Sequence, residues 1–225
     1  MIVTSPFLAN RLRGLTAWAR PAAYTAGSLA AAAGTATWAQ ATGGNQPAVV
    51  GNNASFDGTN DFLTAGAGTG RIQDLFGASA KTMFLVVTIN AATLNNTPAL
   101  YTNDSPFCDT GGYFGIFTRS AGKIAAYNWD ANADQVEMDY TFGTKVVISV
   151  THDGVNLRFA LNGSAWASVA SGATQVVTGG MVLGRSYTGA YSNFVLHELI
   201  TYNVVQEDLY INKMRQSLMA YHKAI

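Results

Sequence analysis

Between Lys145 and Trp166 the chain reads as consecutive β-strands, and this stretch constrains the fold more than any other. Val146, Ile148 and Val150 alternate with polar or small neighbours, as do Leu157, Phe159 and Leu161; a period of two marks strands with one buried face. His152-Asp153-Gly154-Val155-Asn156 separates the two runs, and Asn162-Gly163 follows the second. That dipeptide best tolerates positive φ at both centres of a type I′ turn. Three antiparallel strands in succession are therefore expected.

The remaining segments extend the same theme. Thr82 to Ile89 is almost continuously apolar, which suits a strand in the middle of a sheet, and Ala99 to Thr102, Gly112 to Arg119, Lys123 to Trp129, Met181 to Gly184 and Phe194 to Tyr202 read as further strands. Gly111-Gly112 and Ala121-Gly122 supply turns between them. The period changes only at the end, where Tyr210, Ile211, Met214, Leu218 and Tyr221 recur at helical spacing. Glu207 and Asp208 in its first turn and His222 and Lys223 in its last complement the helix dipole.

A chain of 225 residues fits one large all-β domain, and at that size it buries roughly 70% of its unfolded surface without staples. Only 12% of the residues are charged, about half the usual ~25%, so much of the exposed surface is Asn, Thr, Ser, Gly and backbone. Thirteen basic and thirteen acidic residues cancel; no field of one sign draws nucleic acid or an acidic membrane. Cys108 is the sole cysteine, which excludes an internal disulfide and a cysteine-based zinc site. No run approaches the ~20 apolar residues of a membrane span, so no membrane insertion is expected.

The first 56 residues carry Arg11, Arg13 and Arg20 but no lysine and no acidic residue. This asymmetry divides the chain into an N-terminal arm with an Ala/Gly/Thr-rich segment, residues 1–44, and a sandwich over 45–225. The arginines precede an alanine-rich stretch, but Thr25, Gly27, Ser28 and Gly34 make it too polar for a cleaved signal. Phe7, Leu8, Leu12, Leu15 and Trp18 form an apolar stripe. The plainer reading packs it on the chain's own core; the sharper one docks Met1 to Pro21 onto another subunit, with Phe7, Arg11, Arg13 and Trp18 as the contacts.

Four motifs follow one another in a telling order: Trp38-Ala39-Gln40 with Asn45-Gln46-Pro47, then Phe56-Asp57-Gly58-Thr59-Asn60-Asp61-Phe62-Leu63, then Thr151 to Gly163 read as T-x-D-G-x-x-L-R-x-x-L-N-G, and finally Glu198-Leu199-Ile200-Thr201-Tyr202-Asn203 before the helix. From Trp38 to Ile225 the chain resembles the laminin-G-like branch of the concanavalin A-like lectin sandwiches. The resemblance implies an antiparallel jelly-roll β-sandwich closed by a short C-terminal helix. It departs from the family where an acidic residue and Ser-Gly-Asn normally precede the Gln-Pro, so the contacts those residues supply are not implied here. Gln206 stands where the family places a capping Ser or Thr, which implies a helix start weaker by ~1 kcal/mol.

Glycosidases of this sandwich use paired carboxylates, in one branch as E-x-D-x-x-E. Glu137-Met138-Asp139-Tyr140-Thr141-Phe142 comes nearest, but Phe142 replaces the last carboxylate. His152, His197 and His222 lack a G-x-S-x-G elbow, Cys108 lacks a histidine partner, and the glycines form no phosphate loop. No catalytic residue is assigned. Asp57, Asn60 and Asp61 offer oxygen atoms to calcium, although a turn accounts for all three; no cofactor is expected, with calcium at these residues as the alternative.

Sugars are held by aromatic faces and by amide or carboxylate groups aimed at hydroxyls. Trp129, Asp130 and Asn132 in one loop, and Tyr187, Tyr191 and Asn193 in another, have that mixture; as the plainer reading, such aromatics are lids over the core or subunit contacts. The expected protein is a non-catalytic virion structural protein of a bacteriophage, head decoration or tail-associated. Its partners are other virion subunits or its own copies, and cell-surface glycans. The alternative is a secreted, extracellular carbohydrate-binding or adhesion module.

Overall fold

The computed structural model describes residues 13–25, 27–34, 36–65, 80–91, 105–111, 113–119, 122–130, 133–174 and 180–224. Its strands, in chain order, are β1 (Leu15–Thr25), β2 (Ser28–Gly34), β3 (Thr37–Ala39), β4 (Ala48–Val50), β5 (Asn53–Asp57), β6 (Leu63–Ala65), β7 (Lys81–Ala91), β8 (Phe107–Asp109), β9 (Phe114–Arg119), β10 (Lys123–Trp129), β11 (Ala133–Asp139), β12 (Lys145–His152), β13 (Asn156–Leu161), β14 (Ala167–Ala170), β15 (Met181–Leu183) and β16 (Asn193–Tyr202). The helix α1 (Asp208–His222) follows β16.

All the strand pairs are antiparallel, in the order β11-β10-β9-β8-β15-β6-β3-β2-β1-β16-β7-β12-β13-β14, with β5 added to β16 and β4 to β5. The ribbon doubles over, so that β10 and β11 lie against β13 and β14. The expected antiparallel sandwich is observed, as one nearly closed sheet. Leu85, Val87, Ile148, Phe159, Phe194 and Leu199 from one layer meet Leu63, Phe107, Ile116, Ile124 and Leu183 from the other in a single core.

β7 is continuously apolar because both of its faces are covered. Met83, Leu85, Val87 and Ile89 point into the core between the layers, whereas Phe84 and Val86 point outward into a second cluster with Val147, Ile200 and Tyr202. Ile211, Met214 and Leu218 of α1 cover that cluster. The helix begins at Glu207, whose side chain makes no capping hydrogen bond. Gln206 is turned to other work: its backbone N–H donates to Thr82 Oγ1 at 3.0 Å and its side-chain amide to the Arg13 carbonyl at 2.5 Å.

Two sequence expectations are corrected here. The boundary at Gly44 does not separate an arm from the sheet: Leu15 to Ala39 forms β1, β2 and β3, which join β16 to β6. Ala17 and Ala19 face the main core, Trp18 faces α1, and the stripe's Leu15 also packs on that second cluster. Trp18 is thus a core residue of this chain rather than an arm contact; Arg13 is exposed. Phe7 and Arg11 lie outside the described residues, as do Ala99 to Thr102, Gly112 and Ala121.

The second correction concerns Asn162-Gly163. Asn162 has positive φ (48°) but Gly163 does not, and β14 pairs from Phe159 opposite Ala167, across a wider loop than a two-residue turn. Tertiary contacts override the local preference. Asn162 Oδ1 accepts the Val147 N–H at 2.9 Å, while Arg215 of α1 donates to the carbonyls of Asn162 and Ser164, each at 2.6 Å.

Candidate functional site

The two loops nominated by sequence both reach the Cys108 cluster, one through Trp129 and the other through Arg185. On β8, β9 and β10, Cys108, Phe117, Ala125 and Tyr127 form a small buried cluster directed away from the main core, and Trp129 packs against it. Cys108 Sγ donates to the Arg185 carbonyl at 3.2 Å, tying the second loop to the same place. Burial pushes the Cys108 thiol up, with Asp109 adding to the effect, so it stays protonated.

Within the second loop, the Arg185 guanidinium lies 4.0 Å from the centroid of Phe62, and Tyr191 is tilted against the same ring at 6.3 Å. Asn193 Oδ1 accepts from Asn90 at 2.9 Å, and Tyr187 is 39% exposed. Asp130 is half-buried and accepts the Gly172 N–H at 2.6 Å; Asn132 lies outside the described residues.

The Asp57 to Asp61 segment is a self-contained turn. Asp57 Oδ1 accepts from the N–H groups of Thr59 (2.7 Å) and Asn60 (3.3 Å), and Asp61 Oδ2 accepts from Asp57 N–H at 3.0 Å. Asx-type bonding of this kind engages the carboxylates of Asp57 and Asp61. Among the described residues no group of three or more His, Cys, Asp or Glu is placed to hold a metal ion.

Beneath the Trp129 end lies a buried polar network. Lys81 Nζ bonds Thr174 Oγ1, which donates to Asn128 Oδ1, and Asn128 donates to Ser171 Oγ at 2.8 Å. Lys81 is fully buried, its ammonium 4.8 Å from the Phe114 centroid. Burial lowers its pKa from 10.5 to about 7, against the pull of Asp109. His152 is buried beside it and held below its usual range, first by burial and then by Lys81.

Sequence reasoning missed the most concentrated polar constellation, which lies on the opposite layer. β16 pairs with β7 along its length, while its other edge is shared: β5 covers Asn193 to Leu196 and β1 covers Leu199 to Tyr202. A β-bulge at His197 occupies this seam, because Leu196 pairs with Val87 and Glu198 with Val86. The extra residue leaves His197 and Glu198 both outside the main core; bulges of this kind re-aim side chains.

Glu198 is the hub. Its Oε1 accepts the Trp18 indole N–H at 2.5 Å and Arg20 Nε at 3.3 Å; its Oε2 meets His222 Nε2 at 2.6 Å. Burial alone would raise its pKa, yet the bonds from His222 and Trp18 and the Arg20 charge hold it below the ordinary glutamate value. The Arg20 guanidinium packs 4.3 Å from the centroid of Trp18 and 5.6 Å from that of Tyr221. Arg20 thus pairs with a carboxylate of its own chain.

His197 is wired differently. Nδ1 meets Asn53 Oδ1 at 2.8 Å and Nε2 meets Thr88 Oγ1 at 3.0 Å, so Nδ1 carries the proton and Nε2 accepts the hydroxyl. Burial first, then Lys145 and His222, lowers its pKa to about 4. Both ring nitrogens are thus engaged within the chain. One sequence signal for the site existed: Glu198 is the lone acid in the apolar run Phe194 to Tyr202, and such charges are buried only with partners.

No family model and no curated protein matches this sequence. Solved structures do match in architecture. Trypanosoma rangeli sialidase superposes with a TM-score of 0.68 at 14% identity, over 92% of this chain and 33% of that one. Botulinum neurotoxin type C, whose access to cells depends on interaction with two ganglioside molecules, superposes with 0.66 at 12% identity, over 94% and 53%. The receptor binding domain of botulinum neurotoxin mosaic serotype C/D gives 0.68 at 10% identity, over 92% and 51%. The chain thus spans about a third to a half of these proteins. At such identities the likeness is one of fold alone.

Proposed function

We propose that this chain is a non-catalytic, lectin-like recognition module of a bacteriophage virion, of the laminin-G-like kind, which meets cell-surface glycans through neutral aromatic loops. The observation that carries the reading is the convergence of the two nominated loops on Cys108. Trp129 packs on the Cys108 cluster, and Cys108 bonds the Arg185 carbonyl in the loop that carries Tyr187 and Tyr191. Aromatic faces beside amides recognise sugars without net charge. The sialidase and ganglioside-dependent toxin among the structural neighbours are consistent with glycan contact.

Several features support a binding role over hydrolysis. Glu137 is paired with Arg119 at 2.8 Å and Asp139 with Lys123 at 3.1 Å, while both oxygens of Glu198 are engaged internally. Membership of an assembly is supported by exposed apolar side chains. Val49 and Val50 lie on β4, which pairs with β5 alone, and Leu209 and Tyr210 open the helix. Surfaces of this sort serve subunit contacts.

A glycan array read with the wild-type chain and with Tyr187→Ala and Tyr191→Ala tests the glycan reading. Binding that both variants weaken supports it, and a blank array or unaffected binding overturns it. Deleting residues 1–12, which spares β1, tests assembly by light scattering. Loss of the oligomer supports the virion reading, whereas an unchanged mass and intact glycan binding favour a free carbohydrate-binding or adhesion module.

A further inference from the structure

Residues 184–193, the second of the two nominated loops, carry a single charge, Arg185. The loop is tightly built. Arg185 forms a bridge opposite Tyr191, the Ser186 N–H donates to the Ala190 carbonyl at 2.8 Å, and the Ser192 N–H donates to the Gly184 carbonyl at 2.9 Å. Opposed residues of an antiparallel pair turn their side chains to the same face, and Arg185 and Tyr191 both meet Phe62. The guanidinium lies 4.0 Å from the centroid of that ring. Aromatic packing thus holds a half-buried arginine in place.

The chain does not answer the charge of this arginine. Among the described residues, every other buried or half-buried lysine or arginine has a polar partner. Arg20, Arg119, Lys123 and Arg158 each meet a carboxylate, and Lys81, Lys145 and Arg215 donate to a hydroxyl or to carbonyls. The Arg185 guanidinium takes part in no such pair, and none of its nitrogens is sealed from solvent. Asp57 and Asp61, in the turn that leads to Phe62, spend oxygens on backbone N–H groups inside that turn. A guanidinium packed on an aromatic ring keeps its N–H edge for a planar anion.

We infer that this loop recognises the acidic group of a glycan: a carboxylate takes the N–H edge of Arg185 while its sugar ring meets Tyr191. The inference rests on the glycan reading of the same loop and narrows it to sugars that carry a carboxylate. Arginine suits the role because its planar fork pairs with both oxygens of a carboxylate at once. The tie from the Cys108 thiol to the Arg185 carbonyl and the packing on Phe62 fix the fork before the ligand arrives, so little ordering is left for binding to bring about.

The test is a glycan array that sets glycans ending in a uronic or sialic acid beside the same glycans with the carboxylate reduced to a hydroxymethyl group, followed by titration of the pair bound best. Wild type is expected to bind the acidic member at least roughly tenfold more tightly than the reduced one, by a margin that shrinks as salt rises. Arg185→Gln keeps an apolar stem against Phe62 and should lose that margin while still binding the reduced member. Arg185→Lys keeps the charge without the fork and should retain only part of it.

Reduced glycans that bind as tightly as the acidic ones overturn the inference and leave the glycan reading standing, whereas a blank array ends both. An acidic preference that survives Arg185→Gln also overturns it, since the carboxylate then sits elsewhere. So does a full preference in Arg185→Lys, because the fork then plays no part, and that variant decides the matter if Arg185→Gln does not fold. Sulfated glycans that bind as tightly as the carboxylated ones overturn it as well, since the arginine then answers any anion.

Discussion

Replacing Lys81 by methionine should make the protein more stable at neutral pH and alter how its stability depends on pH. The folded-state pKa of about 7 lies well below the unfolded value of 10.5 because the ammonium is buried. Between these values the unfolded chain holds a proton that the folded chain lacks, so stability rises with pH. The gap is about three and a half pH units, which at about 1.4 kcal/mol each amounts to about 5 kcal/mol. Below pH 7 both states are charged and the wild-type chain carries the whole cost of burying the charge.

Methionine fills a similar volume without that cost. It forfeits the bond to Thr174, worth about 1 kcal/mol, but Thr174 keeps its bond to Asn128 and Asp109 keeps the N–H groups of Gly111, Tyr113 and Phe114. At pH 6.5 the variant should therefore be more stable by about 3 to 4 kcal/mol, an advantage that shrinks towards zero by pH 10. Urea melts of both proteins at pH 6.5, 8 and 9.5 measure the difference, and subtraction cancels other groups that titrate there. A difference that does not change with pH would refute the reasoning, as would a variant less stable throughout, which would mean that Asp109 compensates the buried ammonium in full.

Three further outcomes follow from the geometry. Glu198→Gln breaks a buried charge network and should cost about 3 kcal/mol at pH 7. Because the folded pKa of Glu198 is depressed, this loss should fade as pH falls below the ordinary glutamate value and through the depressed one, read from thermal melts between pH 3 and pH 7. Gly184→Ala should cost more than 2 kcal/mol, since φ is +89° and a Cβ would stand 2.8 Å from the Asp61 carbonyl and against the Phe56 ring; a normal melting temperature would contradict that packing. Glu207→Asp at the uncapped start of α1 should add about 1 kcal/mol in urea melts, and no gain would show that the helix end is already satisfied.

Alternation of side chains settled the all-β reading, because a period of two in Val146 to Val150 and Leu157 to Leu161 is a local property that survives any arrangement of neighbours. The same logic placed β7 in the middle of a sheet and α1 at the end. Residues 15–39 were misjudged for the opposite reason: their alanines and threonines carry little hydrophobic contrast, so only pairing with β16 and β6 shows them to be strands. Asn162-Gly163 carried a local turn preference that Arg215, distant in sequence, overrode.

The polar sites were the least legible. Tyr187 and Tyr191 were visible as aromatics in a polar loop, but the tie between that loop and β10 runs through Cys108, a residue that sequence could describe only as a lone thiol. For Glu198 and His197, strict alternation would place neighbours on opposite faces. One inserted residue at the junction of β1 and β5 puts both on the same side, next to an arginine 178 positions away. Local periodicity is written into the chain itself, whereas a bulge and the groups it gathers exist only once the strands have paired.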